Sequence, residues 1–449
     1  MDQVRQQLPS VRPFEVTHRS VLAISVPMTL GFLTTPLLGV TDMAVVGQFG
    51  DAALLGGLAA GAVVFDVVFT TFNFLRSGTT GLVAQAFGSG DTAEEQAVFW
   101  RAFLVAVVLG ILLILLAPLI AGGGKLFVDP EPRVAEAMQT YIAIRMLAAP
   151  LTLVNYSVLG YVLGRGEGVL GLLLQAVLNG TNIVLSIYLG LVLGWGIEGV
   201  AWGTVGGELV GAIFGMAVVL TRFRHAPPLA LRRVFDLEPV RRMFAMNRDI
   251  VIRSFSLLAA FALFTRQGAQ LGTETLAANA VLLNFFLVSS YFLDGFASAA
   301  EQLAGRSVGA HYRPAFDKTI WLTAGWGFAL AFAAAAICLF FGEALVSFMT
   351  NAEEVRDMAI RYLPFAALTG VSGVLAFQMD GVFIGATWSR DMRNMMLLSL
   401  GVYLACLYGL AAAFGNTGLW IALHIFLIVR GLSLLAVLPS RRQVVFRES

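Results

Sequence analysis

Charge is scarce in this chain of 449 residues: Asp, Glu, Lys and Arg together make up 13%, against roughly a quarter in soluble domains. An ordinary water-facing surface is thereby excluded. Cysteine is nearly absent too. Cys338 and Cys406 both fall in apolar stretches, so no disulfide is expected. Four histidines, His18, His225, His311 and His424, are scattered along the chain. There is no His-Glu-x-x-His, no phosphate-cradling Gly-Lys-Ser/Thr loop and no nucleophile elbow. An enzyme, a bound cofactor and a metal centre are therefore not expected, and any transport must draw on an ion gradient. Net charge is only +1, which leaves no basic surplus for nucleic acid.

What is present is apolar. Hydrophobic residues make up 58%, and mean hydropathy is +0.81. Crossing a hydrocarbon core of about 30 Å takes about 20 apolar residues in a helix, where every backbone N–H and C=O is satisfied internally. Twelve windows meet that test, near 20–47, 53–77, 98–121, 134–161, 168–191, 197–220, 243–269, 275–302, 318–341, 356–385, 393–413 and 417–438. The first is too long for a cleaved signal peptide and follows a polar arm, so it is expected to stay in the mature protein. With the amino terminus inside, nineteen Lys and Arg, from Arg5 through the Arg222–Arg242 region to Arg447, fall on the inner side. Only Lys125, Arg133 and Arg356 fall outside. That bias predicts both termini in the cytoplasm and favours an even number of spans.

The basic stretch 222–242 separates six spans from six and is expected to link an amino-terminal lobe, 1–221, to a carboxy-terminal lobe, 243–449. A shift of 221 positions places Arg12 on Arg233, Phe65 on Phe286, Ser77 on Ser298 and Gly88 on Gly309. It also places Tyr141 on Tyr362, Gly160 on Gly381, Gly164 on Gly385 and Gly194 on Gly415. Two matching halves with an even number of helices each imply a parallel repeat, a plan used by transporters that alternate access. The expected fold is thus all-α, twelve transmembrane helices in two pseudo-symmetric six-helix bundles.

Ionisable residues inside predicted spans are few, and each should face a cavity or a partner. Asp42 lies in Thr-Pro-Leu-Leu-Gly-Val-Thr-Asp-Met, downstream of Pro27 and Pro36. Prolines let a helix kink or bend, and a carboxylate there can be relieved of its charge by a proton that competes with a cationic ligand. The spacing leaves a second option equally open, in which Asp42 is permanently paired to an arginine such as Arg145 or Arg253. Asn179, Asn182 and Ser186 share one face of the fifth span, with Tyr141, Thr204 and Glu208 on neighbouring spans. Asn279, Asn284, Asp294, Gln378 and Asp380 are their counterparts in kind in the second half, although small polar residues also simply join membrane helices. Arg76 and Glu301 fall near inner ends of corresponding spans and are expected to serve lobe structure and gating.

The runs Phe-Asn-Phe-Leu-Arg-Ser-Gly-Thr-Thr-Gly-Leu-Val-Ala-Gln-Ala (72–86), Asp-Gly-Phe-Ala-Ser-Ala-Ala-Glu-Gln-Leu-Ala-Gly (294–305) and Asp-Gly-Val-Phe-Ile-Gly-Ala-Thr (380–387), with Met392-Arg393-Asn394, resemble the DinF-like branch of the MATE family of multidrug and toxic compound extrusion transporters. The resemblance implies a central cleft between the lobes, a monomer in a bacterial cytoplasmic membrane, and antiport of small, mainly cationic amphipathic compounds against protons, with sodium as the other coupling ion. It makes Asp42 the proton-coupling carboxylate, Pro27 the bending proline, and Tyr141, Asn182, Ser186 and Thr204 the amino-lobe pocket. Ser186 stands where many members carry an aspartate. Asp380 and Asp294 are the second-lobe candidates, while the seventh span offers Arg253 instead of the acid expected there. A lipid-linked oligosaccharide flippase of the same wider superfamily is the alternative implied.

Overall fold

The computed structural model describes residues 11–446 and shows only helices among them. Arg5 and Arg447, counted in the basic bias, lie outside the described residues. We number twelve long helices: α1, His18–Gly47; α2, Ala52–Thr71 continued by Phe74–Ser89; α3, Thr92–Val128; α4, Pro132–Met146 continued by Ala149–Gly164; α5, Gly168–Ile187; α6, Gly196–Phe223; α7, Leu237–Gln270; α8, Thr273–Gly309; α9, Arg313–Met349; α10, Glu353–Gly385. The last continuous stretch, Ser389–Val445, holds α11 and α12 on either side of Gly415, whose φ of 57° breaks the helix.

Nine of these stretches are long and apolar enough to cross a membrane by themselves, and the two halves of α4, bent by 53°, make a tenth span. Splitting Ser389–Val445 at Gly415 gives an eleventh. The twelfth is α7, whose hydropathy is lowered by Arg248, Asp249, Arg253 and Arg266. Most of those charges are answered internally. Asp249 pairs with Arg393 at 2.7 Å and with Arg248 at 3.2 Å, and Arg253 pairs with Asp380 at 2.6 Å. Paired charges facing protein are what a spanning helix tolerates.

The bend in α4 has a local cause. Pro150 follows the break and has no N–H to continue the ladder, and Gly110 of α3 lets the two backbones approach, since a Cβ there would meet Pro150.

Two compact units form. One holds Leu30–Ala86 and Asp91–Phe244, and therefore the 222–242 stretch; the other holds the chain from Ala245 onward with the described residues up to Thr29 and Phe87–Gly90. The boundary inside α1 falls two residues after Pro27. In the first unit Phe99, Tyr161 and Phe223 pack edge to face at 5.5–5.6 Å between ring centres. The second is built on Phe264, Leu282, Trp420, Leu423, Phe426 and Leu427, all fully buried.

The internal repeat recurs as geometry. A Cβ on Gly160 would run into the Arg76 carbonyl, and one on Gly381 into that of Ala297, the position 221 later. Gly164 likewise abuts the Thr80 carbonyl, and Gly385 that of Glu301. The same glycines thus bring α4 against α2 and α10 against α8. Gly194 and Gly415, also related by the shift, both have positive φ at the turns before α6 and α12, where a side chain would be strained.

Candidate functional site

The first unit brings five of the expected residues together. Asp42 of α1 is 7% exposed, and Asn182 and Ser186 of α5, Thr204 of α6 and Tyr141 of α4 are equally buried. The Ser186 hydroxyl is within hydrogen-bonding reach of the Asp42 carboxylate and lies 3.0 Å from Asn182 Oδ1. Asn182 Nδ2 donates to Thr204 Oγ1 at 3.3 Å, and Thr204 Oγ1 donates to the Val200 carbonyl at 3.2 Å. A chain of hydrogen bonds therefore runs from the carboxylate through three neutral side chains to the α6 backbone. Asn179, one turn away on α5, donates to Thr34 of α1.

This closeness depends on α6 presenting glycine every four residues. Gly199, Gly203, Gly207 and Gly211 all face α5 and the turn after it, where a Cβ on Gly203 would lie 2.6 Å from Ser186 Oγ and one on Gly207 2.8 Å from Asn182 Cβ. Small residues at this spacing allow membrane helices to approach until short side chains can bond across them. The sequence reading passed over this stripe, although its four-residue period was plain in the sequence.

Arg145 is the base acting on this region. Its Nη1 donates to Tyr141 Oη at 2.8 Å, and its guanidinium sits 4.2 Å from the centre of the Phe65 ring. Its positive charge acts on Asp42, Asp66 and Glu208. Yet among the described residues no base lies within ion-pair distance of Asp42, and Asp42 Oδ1 is buried with no hydrogen-bond partner. Of the two options left open by spacing, permanent pairing is absent here. Glu208 instead takes a hydrogen bond from Asn155 at 2.6 Å, a partner that no motif signalled. Pro27 precedes Asp42 by fifteen residues on α1 and belongs to the other compact unit.

The second unit arranges its candidates differently. Asp380 of α10 accepts from Arg253 of α7 at 2.6 Å and from Arg430 of α12, whose guanidinium also lies 5.4 Å from the Phe377 ring centre. Asp294 of α8 acts electrostatically on Arg253, and its carbonyl accepts from Ser298. The other polar residues are not gathered around them. Asn279 exchanges hydrogen bonds with Asn416 at 2.8 and 3.1 Å and accepts from Trp420 at 3.0 Å. Gln378 reaches Thr323 and the Ile320 carbonyl on α9, and Asn284 bonds its own helix. These join helices. Of the two residues expected near inner helix ends, Glu301 lies eight residues before the end of α8, and Arg76 lies in the first turn after the break in α2, held by Asn73 and Ser77.

A cavity of about 360 Å³ in the first unit, lined by Glu95, Tyr161, Arg165, Glu167, Arg222 and His225 among others, contains none of the Asp42 cluster. It sits where Arg165 bridges Glu95 and Glu167 and Arg222 pairs with Glu167.

Comparison with known proteins agrees with both halves. Residues 27–188 and 250–408 match the MatE family pattern. DNA damage-inducible protein F of Escherichia coli K12 is 34% identical over 424 residues, covering 94% of this chain and 92% of that one. A probable multidrug resistance protein NorM of Deinococcus radiodurans is 25% identical over 442 residues, 93% and 94% of the two chains. Among solved structures, a MATE family transporter of the MOP superfamily in an outward-facing conformation superimposes with a TM-score of 0.85 at 16% identity, over 96% of this chain and 97% of that one. With the family pattern present in both halves and a relative at 34% identity along nearly its whole length, this multi-pass membrane protein belongs to the MatE family.

Proposed function

We propose that this protein is a proton-coupled antiporter that exports small, mainly cationic amphipathic compounds, with Asp42 as the coupling carboxylate. One observation carries the reading: Asp42 is a buried acid surrounded by neutral hydrogen-bonding groups and joined to no base among the described residues. A charged aspartate costs about 2.5–3.5 kcal/mol at the centre of a spanning helix and less toward its end; Asp42, five residues before the end of α1 but buried, carries part of that penalty. A proton, or the positive charge of a substrate, removes that penalty, and the two compete for one carboxylate.

Ser186 supplies a device for sensing which is bound. Its hydroxyl has one hydrogen and two acceptors within reach, the Asp42 carboxylate and Asn182 Oδ1. With Asp42 charged, that hydrogen goes to the carboxylate. When Asp42 carries a proton it donates to Ser186 Oγ, and the serine hydrogen turns to Asn182. The protonation state is thereby passed to Asn182 of α5 by reorienting the Ser186 hydroxyl, with no charge moved, and Asn182 is itself tied to Thr204 of α6. Pro27 and Pro36 leave gaps in the α1 ladder where the helix can bend in response.

Asp380 supports the choice of proton over sodium. Its carboxylate is already shared by Arg253 and Arg430, so a metal cation there would have to displace fixed guanidiniums. Similarity to NorM of Deinococcus radiodurans, a probable multidrug resistance protein, supports drug-like substrates. Both termini and the 222–242 linker face the cytoplasm in this reading, by the Lys/Arg bias. A cysteine at position 129 is then labelled from outside intact cells, while one at 225 is not; labelling at 225 reverses the topology.

The deciding experiment is substrate flux in proteoliposomes under a proton gradient alone and a sodium gradient alone. Export is expected with the first and not with the second. Sodium-driven flux without a pH gradient overturns the proton assignment.

A further inference from the structure

The segment between α6 and α7 is held in place but left uncovered. Arg101 of α3, 5% exposed, donates from Nε to the Val234 carbonyl at 3.0 Å and from Nη2 to the Arg233 carbonyl, and pairs with Glu94 at 2.7 Å. Gln96 donates to the Pro227 carbonyl at 3.1 Å, and the Arg233 side chain pairs with Asp91 and Glu94. The backbone is thus clamped to the first turns of a membrane helix. On its outside the segment shows Phe235, Leu237 and Phe244, exposed by 68%, 78% and 53%. Along the same stretch of chain stand the exposed Arg224, Arg232 and Arg241, which have no ion-pair partner among the described residues, with the exposed Asp236 and Glu238 between them. Leu237, Arg241 and Phe244 follow one another at spacings of four and three on α7, so they share one face.

An apolar side chain held outward by a clamp cannot fold away from water, and an unpaired guanidinium cannot enter hydrocarbon. One environment satisfies both, the boundary between headgroups and acyl chains, where apolar groups reach inward and arginines meet phosphate. A soluble protein partner would have to cover three separated apolar side chains while leaving or matching each neighbouring arginine. The bilayer beside the cytoplasmic end of α3 offers the matching layers, and the exposed Arg224, Arg232, Arg241 and Arg242 outnumber the exposed Asp236 and Glu238, a surplus of positive charge that attracts anionic lipid. We propose that residues 232–244 form a binding site for anionic phospholipid headgroups, with Arg232 and Arg241 on the phosphates and Phe235 and Leu237 in the adjoining acyl region. This site is independent of the ion that drives transport.

The test uses the full-length protein with Cys338→Ala and Cys406→Ala, carrying Leu237→Cys labelled with bimane, in nanodiscs of phosphatidylcholine. A small fraction of lipid doxyl-labelled near the headgroup is either phosphatidylglycerol or phosphatidylcholine. Both are expected to quench the probe, phosphatidylglycerol more strongly at equal mole fraction. Adding Arg232→Gln and Arg241→Gln, both at exposed unpaired positions, is expected to remove that preference, about fivefold per arginine, while quenching by phosphatidylcholine remains. Quenching by aqueous iodide but by neither lipid places Leu237 in water and overturns the proposal, leaving the surface to a soluble partner. Equal quenching by the two lipids overturns the anionic selectivity.

Discussion

Asp42 on α1 and Asp380 on α10 are both nearly sealed from solvent, at 7% and 5% exposure, yet they are neutralised by different means. Around Asp42 stand a hydroxyl, an amide and a threonine, groups that can turn their dipoles, with Arg145 acting from beyond ion-pair distance. Around Asp380 stand two guanidiniums in direct contact. Rotatable dipoles can follow a proton on and off, whereas fixed opposite charges stabilise one protonation state and oppose the other. The same residue type, similarly buried, thus meets neutral hydrogen-bonding groups in one unit, as the switch proposed for Asp42 requires, and two fixed charges in the other.

The sharpest way to break this comparison is to neutralise each acid. Asp42→Asn keeps the shape and removes the exchangeable proton, so proton-driven flux is expected to fall to the level of protein-free liposomes while the purified protein melts near the parent temperature. Flux close to the parent's would move the coupling site to Asp380 or Asp294. Asp380→Asn is expected to do the reverse: two buried arginines lose their counter-charge, which costs about 3–5 kcal/mol and shows as a lower melting temperature and less folded protein. If Asp380→Asn melts normally but no longer couples, the contrast between the two acids fails.

Smaller effects sharpen the picture. Gly203→Ala forces a methyl onto the Ser186 backbone and hydroxyl, an overpacking cost of about 1–3 kcal/mol, read as a drop in thermal stability together with slower flux. Gly180→Ala, on the same pair of helices but with open space around it, should change neither. Smallest is Ser186→Ala, which removes the relay hydroxyl but leaves Asp42 able to take a proton. Flux is expected to fall several-fold without vanishing, and unchanged flux at every pH would show that the Ser186 hydrogen bonds carry no signal.

Much of the architecture was readable because hydrophobic thickness and helix rise are set by the bilayer. The windows for α5, α6 and α10 nearly match the helices found. The window for α2 stopped at 77, twelve residues short of Ser89, because Ser-Gly-Thr-Thr-Gly reads as a polar break. Packing explains why the helix continues: Thr79, Thr80 and Val83 abut Gly160 and Gly164 of α4, so this polar stretch is covered by protein and meets little lipid. The Asp42 cluster was legible in part. Asn182 and Ser186 were placed by helical spacing, whereas the distance to Thr204 depended on an α6 glycine stripe that the reading had not used.

The sequence alone determined the solvent this protein lives in, the twelve spans, the duplication into two halves and the residue types available inside them, because each follows from local composition and periodicity. Only the tertiary structure decided which base meets which acid. Arg253 and Arg430 lie 127 and 50 residues from Asp380, and Arg145 lies on a helix three spans away from Asp42. Whether such groups touch depends on helix rotation and on glycine-limited approach between helices, quantities that no spacing along the chain encodes.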